Sequence, residues 1–254
     1  MLTQPIVIAA FVVVCTFAAA VLGMALRARL PDHHLNAESK DVVKLVMGLI
    51  ATLVALVLGL LIASANGFYD KQRDELQTLS ANIVNLDQIL TRYGPEANAV
   101  RAALRTAVVV GHDRVWPADA ISTAQPAPRN DANIAAFHDG MANLKPATEA
   151  QGHLLAQAIG IADGISAMRL LIFAQIGNSL SWPFLVILVF WVSILFLGFG
   201  LLTERNGTVA AALLVGSVAV ASATFLILEM NQPYSGLMRL SDAPFRQAIA
   251  QISR

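Results

Sequence analysis

Cysteine and charge are both scarce in this chain of 254 residues. The single Cys15 excludes an intramolecular disulfide. Charged residues make up 13% of the chain, about half the share that is typical of soluble domains, whereas hydrophobic residues make up 56%. Because the formal net charge is zero, the charge balance indicates no nucleic-acid partner. The scarcity of charge points instead to contact with a lipid bilayer.

Charged residues and histidines are missing altogether from four long runs. Each run has 21 or 22 residues, and together they are Pro5–Leu26, Leu45–Ala65, Trp182–Leu202 and Thr208–Leu228. At 1.5 Å per helical residue, about 20 residues cross a hydrocarbon core. No Lys or Arg precedes the first run, which argues against a signal peptide and for a retained helix. We therefore predict an all-α membrane protein with four transmembrane helices.

The remaining residues form a long insert and a tail, which gives four parts. We predict helices 1 and 2 over 1–66, a helical extramembrane insert over 67–180, helices 3 and 4 over 181–230, and a C-terminal tail over 231–254. Two apolar seams with heptad spacing predict that helices of the insert pack as a bundle. The first seam is Leu76, Leu79, Ile83, Leu86 and Leu90, and the second is Leu154, Ala158, Ile161, Ile165, Met168 and Ile172.

Shorter patterns divide the insert. Tyr93-Gly94-Pro95 ends the first insert helix, with glycine and proline in the positions they favour past a helix end. We predict further helices from Glu96 to about Val110 and over about 133–144, with an irregular, proline-rich loop at 116–128 between them. The helix that carries the second seam is expected to continue into the third transmembrane helix.

No motif for catalysis or for cofactor binding is present. The sequence lacks a P-loop, a dinucleotide fingerprint, a nucleophile elbow and a calcium loop. His33 and His34 are adjacent and would point about 100° apart on a helix, and the other three histidines are far apart in the sequence. Surface positions explain all five. We therefore predict no enzyme, no catalytic residue, no metal site and no cofactor.

The second transmembrane helix is the best candidate for a functional surface. One helical face can hold Thr52, Ala55, Gly59, Ile62 and Asn66, which include two of the three polar residues at 45–66. In an oligomer this face would line a narrow, mostly apolar pore that opens by wetting. The alternative is a face that packs in the bundle or contacts lipid. These five residues are the pore-lining candidates.

Charged residues at the ends of the transmembrane helices form a second set of candidates. Asp70 and Arg73 follow the second helix, where Lys71 is expected to pair with Asp74 or Glu75. Glu229 follows the fourth charge-free run directly and needs a partner, and Arg239 is ten residues further on. Asp70, Arg73, Glu229 and Arg239 are thus interfacial polar candidates, either as ion or substrate contacts or as structural ion pairs.

Several segments resemble an uncharacterised bacterial membrane family that carries the label bestrophin-like. The segments are Ser80-Ala81-Asn82-Ile83, Leu86-Asp87, Tyr93-Gly94-Pro95-Glu96, Arg169-Leu170-Leu171, Phe190-Trp191, Phe199-Gly200-Leu201 through Arg205-Asn206, and 225–241 with the following Asp242-Ala243-Pro244-Phe245-Arg246. The resemblance covers roughly residues 43–252. It extends more distantly to the bestrophins, which are pentameric ion channels with four membrane spans and a pore lined by the second.

The resemblance implies a homo-oligomer, a pentamer by analogy, that forms an ion channel or a channel-like membrane protein. The phenylalanine-rich neck of bestrophins is absent, since no aromatic residue precedes Phe68 in the second helix. The acidic calcium clasp is also absent, because only Asp242 follows Glu229 among acidic residues. Calcium gating is therefore not carried over. The alternative function is a non-conducting scaffold or sensor whose helical insert binds a partner protein.

The membrane orientation follows from two arguments that disagree. The two short connections carry five basic residues near the spans, as does the opposite side, so the counts tie. Weighting the short loops and the first span favours a periplasmic insert, whereas the resemblance implies a cytosolic one. We favour the cytosolic insert, and we expect a multi-pass protein of the bacterial inner membrane.

Overall fold

The computed structural model describes residues 3–29, 37–116, 131–175, 182–204, 206–234 and 236–253. All regular structure in these ranges is helical, which confirms the predicted helical class. A 3₁₀ turn at Pro95–Ala97 accompanies eight α-helices. They are α1 Thr3–Arg27, α2 Ala37–Tyr93, α3 Asn98–Val115, α4 Asp131–Ala142, α5 Glu149–Gln175, α6 Trp182–Leu202, α7 Gly207–Met230 and α8 Ala243–Ile252.

Five helices in the described part of the chain are long and apolar enough to cross a membrane. Four of them (α1, α2, α6 and α7) contain the charge-free runs, and their most apolar windows have a mean hydropathy between 2.3 and 2.9. The fifth is Glu149–Ile172 of α5, whose window reaches only 1.4. The helix α2 is unbroken from Ala37 to Tyr93, so one helix contains both the second charge-free run and the first seam.

The chain divides into two compact units. The membrane unit is Met1–Asp70 with Ser179–Arg239, and the insert unit is Lys71–Asn178 with Leu240–Arg254. The segment that was predicted as one C-terminal tail therefore contributes to both units. Within the insert unit, residues 243–252 form α8, a helix that the sequence analysis did not predict.

Within the membrane unit, α1 packs against α6 and α7. The contact with α6 is made at two glycines. A Cβ atom on Gly23 would overlap the carbonyl oxygen of Leu197, and a Cβ atom on Gly200 would overlap the carbonyl oxygen of Ala20. Small residues allow such close approach in lipid, where the hydrophobic effect no longer drives helices together. The α1–α6 crossing therefore requires both glycines.

The core of the membrane unit also includes one face of α2. Met47, Val54, Leu61 and Ala65 are buried there, in a cluster with residues of α6 and α7 such as Leu188, Val192, Phe196 and Ile227. Spacings of seven and four keep these α2 residues on one side of the helix. The opposite side of α2 is left exposed in the single chain.

In the insert unit, the first predicted seam is buried. Leu76, Leu79, Ile83, Leu86 and Leu90 are each at most 7% exposed. Next to the seam, Asp87 accepts two hydrogen bonds from Arg101 of α3, at 2.9 and 2.8 Å. These hydrogen bonds raise the pKa of the Arg101 guanidinium above its ordinary value, against a smaller opposing effect of burial. The pair joins α2 to α3.

The second seam is buried only in part. Ala158 and Ile172 are buried, whereas Leu154, Ile161, Ile165 and Met168 are half-buried. Gln151 near the start of α5 donates a 3.0 Å hydrogen bond to the carbonyl of Tyr93 at the end of α2. Direct packing of the two seams stays a prediction. The helix α3 continues to Val115, five residues beyond the predicted end. The link from α5 to α6 and residues 117–128 of the predicted loop lie outside the described residues.

Candidate functional site

The exposed side of α2 in the membrane unit carries most of the predicted pore face. Thr52, Ala55, Gly59 and Asn66 are all exposed in the single chain. A Cβ atom on Gly59 would meet nothing within 4 Å. Ile62 differs, since it is half-buried and packs against the core of the membrane unit. We call the four exposed residues the small-residue strip, with Ile62 at its edge.

The polar groups of the small-residue strip are already engaged within α2. The Thr52 hydroxyl donates a 2.9 Å hydrogen bond to the carbonyl of Gly48. The Asn66 side-chain amide donates a 2.8 Å hydrogen bond to the carboxylate of Asp70, one turn further on. The strip therefore presents oxygen lone pairs at Thr52, and the negative charge of Asp70 lies next to its other end at Asn66. Ala55 and Gly59 lie between these polar groups.

Glu229 makes a second polar feature of the membrane unit, at the end of α7. It is 1% exposed. One carboxylate oxygen, Oε2, accepts hydrogen bonds from the backbone amides of Leu237 at 2.7 Å and Met238 at 3.3 Å. The other, Oε1, is buried and has no hydrogen-bond partner among the residues that the structure describes. The chain thus folds back onto Glu229, and backbone amides, instead of the Arg239 side chain that an ion pair would need, supply these two donors.

The geometry of this turn explains its glycine. Gly236 has φ of 89°, a conformation that costs a residue with a Cβ atom but not glycine. A Cβ atom there would also lie 3.0 Å from Oε1 of Glu229 and would overlap Oε2. Met238 packs against the core of the membrane unit, whereas Leu237 is 71% exposed. The carboxylate therefore holds a tight turn beneath the end of α7.

A comparison with protein families identifies the chain. A family model described as the bestrophin-like domain matches residues 14–245. The chain belongs to the bestrophin-like family. The resemblance inferred from the sequence motifs is therefore confirmed, and the family fits a multi-pass membrane protein in contact with lipid. A search of curated proteins finds no match.

In this bestrophin-like protein, a second exposed face of α2 lies beside the small-residue strip. It is formed by leucines that are between 41% and 75% exposed, namely Leu45, Leu49, Leu53, Leu56 and Leu60. We call it the leucine face. Sequence analysis missed it, although the spacing of 4, 4, 3 and 4 residues was visible. The exposed surface of α2 is therefore divided between large apolar side chains and small ones.

The remaining interfacial candidates of the bestrophin-like chain fall in different units. Asp70 belongs to the membrane unit, whereas Arg73 is an exposed residue of the insert unit. Lys71 pairs with Glu75 at 3.7 Å, one of the two pairings expected from the sequence. Arg239 is exposed on the segment after the Glu229 turn. The structure thus connects Asp70 to the small-residue strip through Asn66.

Proposed function

We propose that this bestrophin-like protein is a homo-oligomeric ion channel with four transmembrane helices, α1, α2, α6 and α7. The observation that carries the proposal is the small-residue strip of Thr52, Ala55, Gly59 and Asn66. It lies on a transmembrane helix whose other side is packed in the membrane unit. In this assembly the α2 helices surround a central axis, with their small-residue strips towards it, as in the pentameric bestrophins that the family resembles.

The chemistry of the strip sets how such a pore works. Ala55 and Gly59 provide a narrow, apolar stretch between the hydroxyl of Thr52 and the Asn66–Asp70 pair. A constriction without polar side chains excludes water until it widens, so ions pass only when it wets. Because the side chains at this constriction are small, a modest increase in pore diameter would be enough to open it. The leucine face would contact the neighbouring subunit and lipid.

The location is part of the same proposal. We place the protein in the bacterial inner membrane with the insert in the cytosol, as the resemblance to bestrophins implies. Asp70 then lies at the cytosolic end of the proposed pore. Its carboxylate would concentrate cations there. The negative charge of Asp70 therefore supports a channel that prefers cations over anions.

The test compares two exposed neighbours on α2. In a background without Cys15, Ala55→Cys places a thiol on the small-residue strip, and Leu56→Cys places one on the leucine face. Both parent residues are exposed in the single chain. A charged, thiol-reactive reagent is expected to reduce ion flux through Ala55→Cys channels in liposomes by more than half, and to leave Leu56→Cys flux nearly unchanged. Native mass measurement of each variant shows whether the oligomer is intact.

Three results would contradict the proposal. If intact oligomers showed only the flux of empty liposomes, the protein would not be a conducting channel. Equal inhibition of both variants would remove the small-residue strip as the pore lining. If the protein were a monomer in nanodiscs, there would be no central axis for the α2 helices to surround.

A non-conducting scaffold or sensor is the second candidate, and a groove in the insert unit favours it. The groove has a volume of about 400 Å³ and lies between α2 and α8. Half of its ten lining residues carry uncharged amides, namely Gln77, Asn85, Gln88, Gln247 and Gln251, and the others are Ser80 and four apolar residues. Side-chain amides both donate and accept hydrogen bonds, so the groove suits a polar, uncharged segment of a partner protein. Intact oligomers without flux would leave this function as the one supported.

A further inference from the structure

The end of α3 and the start of α8 meet through a cluster of three rings in the insert unit. The rings of His112 and Trp116 have centroids 5.6 Å apart, and Phe245 of α8 lies 5.8 Å from Trp116 and 6.4 Å from His112. The indole Nε1 of Trp116 donates a 3.1 Å hydrogen bond to the carbonyl of Leu240, just before α8. This contact is the attachment of α8 to α3.

His112 faces a carboxylate on each side of its ring. Its Nδ1 atom lies 3.0 Å from Oδ1 of Asp113 on its own helix, and its Nε2 atom lies 3.3 Å from Oδ2 of Asp242, the residue that precedes α8. The side chain of His112 is only 13% exposed. Asp242 also pairs with Arg246 of α8 at 3.2 Å. Two carboxylates, from Asp113 and Asp242, therefore contact the ring, and Arg246 contacts Asp242 in turn.

The number of protons on the ring decides how many of these contacts are attractive. A neutral imidazole donates through one nitrogen and presents a lone pair on the other. With a carboxylate oxygen on each side, the neutral ring therefore directs a lone pair at one carboxylate. The imidazolium donates on both sides, and its positive charge is opposite to that of the two carboxylates it contacts. The arrangement fits the charged ring.

We propose that His112 is a proton-controlled latch that holds the C-terminal helix α8 on α3. Histidine is the side chain that ordinarily changes its charge between about pH 5 and 8. The charged ring binds Asp242 and tightens the attachment, whereas the neutral ring weakens it. The packing of Trp116 against Phe245 carries no charge and holds α8 in both states. Acidification therefore strengthens the attachment of α8, and alkalisation loosens it.

Hydrogen–deuterium exchange of the full-length protein in nanodiscs tests the latch. Amides of α8 exchange when the helix opens, so their protection reports the opening equilibrium. After correction for intrinsic exchange rates, protection of residues 243–252 is expected to be roughly two- to tenfold higher at pH 5.5 than at pH 8, the range for one partly buried charge contact. In His112→Gln, protection is expected to be equal at the two pH values.

Two further variants keep the test decisive. His153→Gln removes a histidine that is 81% exposed, and it is expected to keep the wild-type dependence on pH. Asp242→Asn leaves the ring stack in place and removes the carboxylate, so it is expected to lose most of the dependence even if His112→Gln unfolds. Equal protection of wild-type α8 at both pH values overturns the latch, as does an unchanged dependence in Asp242→Asn. Ion flux plays no part in this readout.

Discussion

Two structural features restrict position 236 to glycine, namely its positive φ and the nearby carboxylate of Glu229. Replacement by alanine would strain the backbone and push the methyl group into Glu229. We expect Gly236→Ala to lower the stability of the membrane unit by about 1–3 kcal/mol, the usual cost of a side chain in such a conformation. Thermal unfolding in detergent measures the difference.

Gly48 provides the matched control for Gly236→Ala. It lies within α2, and a Cβ atom there would meet nothing within 4 Å. Because alanine favours helix more than glycine does, Gly48→Ala is expected to be neutral or to stabilise by up to about 1 kcal/mol. Equal stability of Gly236→Ala and the wild type would show that the turn does not depend on its glycine.

Arg101 attaches α3 to α2 through its pair with Asp87. The hydrogen bonds that Arg101 donates to Asp87 raise an arginine pKa that is ordinarily already strongly alkaline. Stability from a raised pKa is present below the unfolded value and is lost only as pH rises through the folded value. The Asp87–Arg101 pair therefore holds α3 to α2 throughout the neutral range.

At the scale of elements, the first seam of α2 gives a direct test of the insert. Ile83 is 3% exposed, so Ile83→Asp buries an unpaired charge and is expected to cost several kcal/mol, roughly 3–5. Ala81 is exposed two residues away on the same helix, and Ala81→Asp is expected to cost less than about 1 kcal/mol. Thermal unfolding of both variants gives the comparison. Wild-type stability of Ile83→Asp would mean that the seam is not a core.

Helices with a strong local signal could be predicted from the sequence. The charge-free runs gave the four long apolar helices because exclusion of charge is a property of each segment alone. The helix α8 also had local signals that were missed. Asp242 precedes it, Pro244 lies in its first turn, and its buried residues Phe245, Ala248 and Ile252 have helical spacing. A segment of ten residues was too short to stand out.

Contacts between distant segments could not be predicted in this way. His112 and Asp242 are 130 residues apart, so no local pattern in the sequence relates them, and His112 was assigned to the surface. The small-residue strip is intermediate. Its face followed from helical spacing, but the position of Ile62 depends on how α2 packs in the membrane unit. The packing of α2 decides which residues beside the small-residue strip are covered by other helices of the membrane unit.

For the whole molecule, the number of spans depends on α5. Its apolar window has the lowest mean hydropathy of the five, and Asp163 near its middle is exposed. A lone acidic residue at the centre of a transmembrane helix costs about 2.5–3.5 kcal/mol by insertion scales. We therefore expect α5 to stay outside the membrane.

A labelling experiment distinguishes four spans from five. With four, residue 122 in the insert and Asn206 between α6 and α7 lie on opposite sides of the membrane. With five, they share one side. In a Cys15-free background, Asn206→Cys is expected to react with an impermeant maleimide in intact cells, whereas Ser122→Cys reacts only after permeabilisation. Labelling of both in intact cells would show that α5 crosses, and the reverse pattern would invert the orientation.

The glycine crossing of α1 and α6 has a consequence for biosynthesis. The helix α1 is made first, and the partner that covers Gly23 begins only at Trp182, about 150 residues later. At about 5–20 residues per second of synthesis, that delay is roughly 8–30 s. During this time the surface of α1 around Thr16, Ala20 and Gly23 has no α6 to cover it. The insertion machinery or the lipid must therefore shield a half-built interface until the second half of the chain arrives.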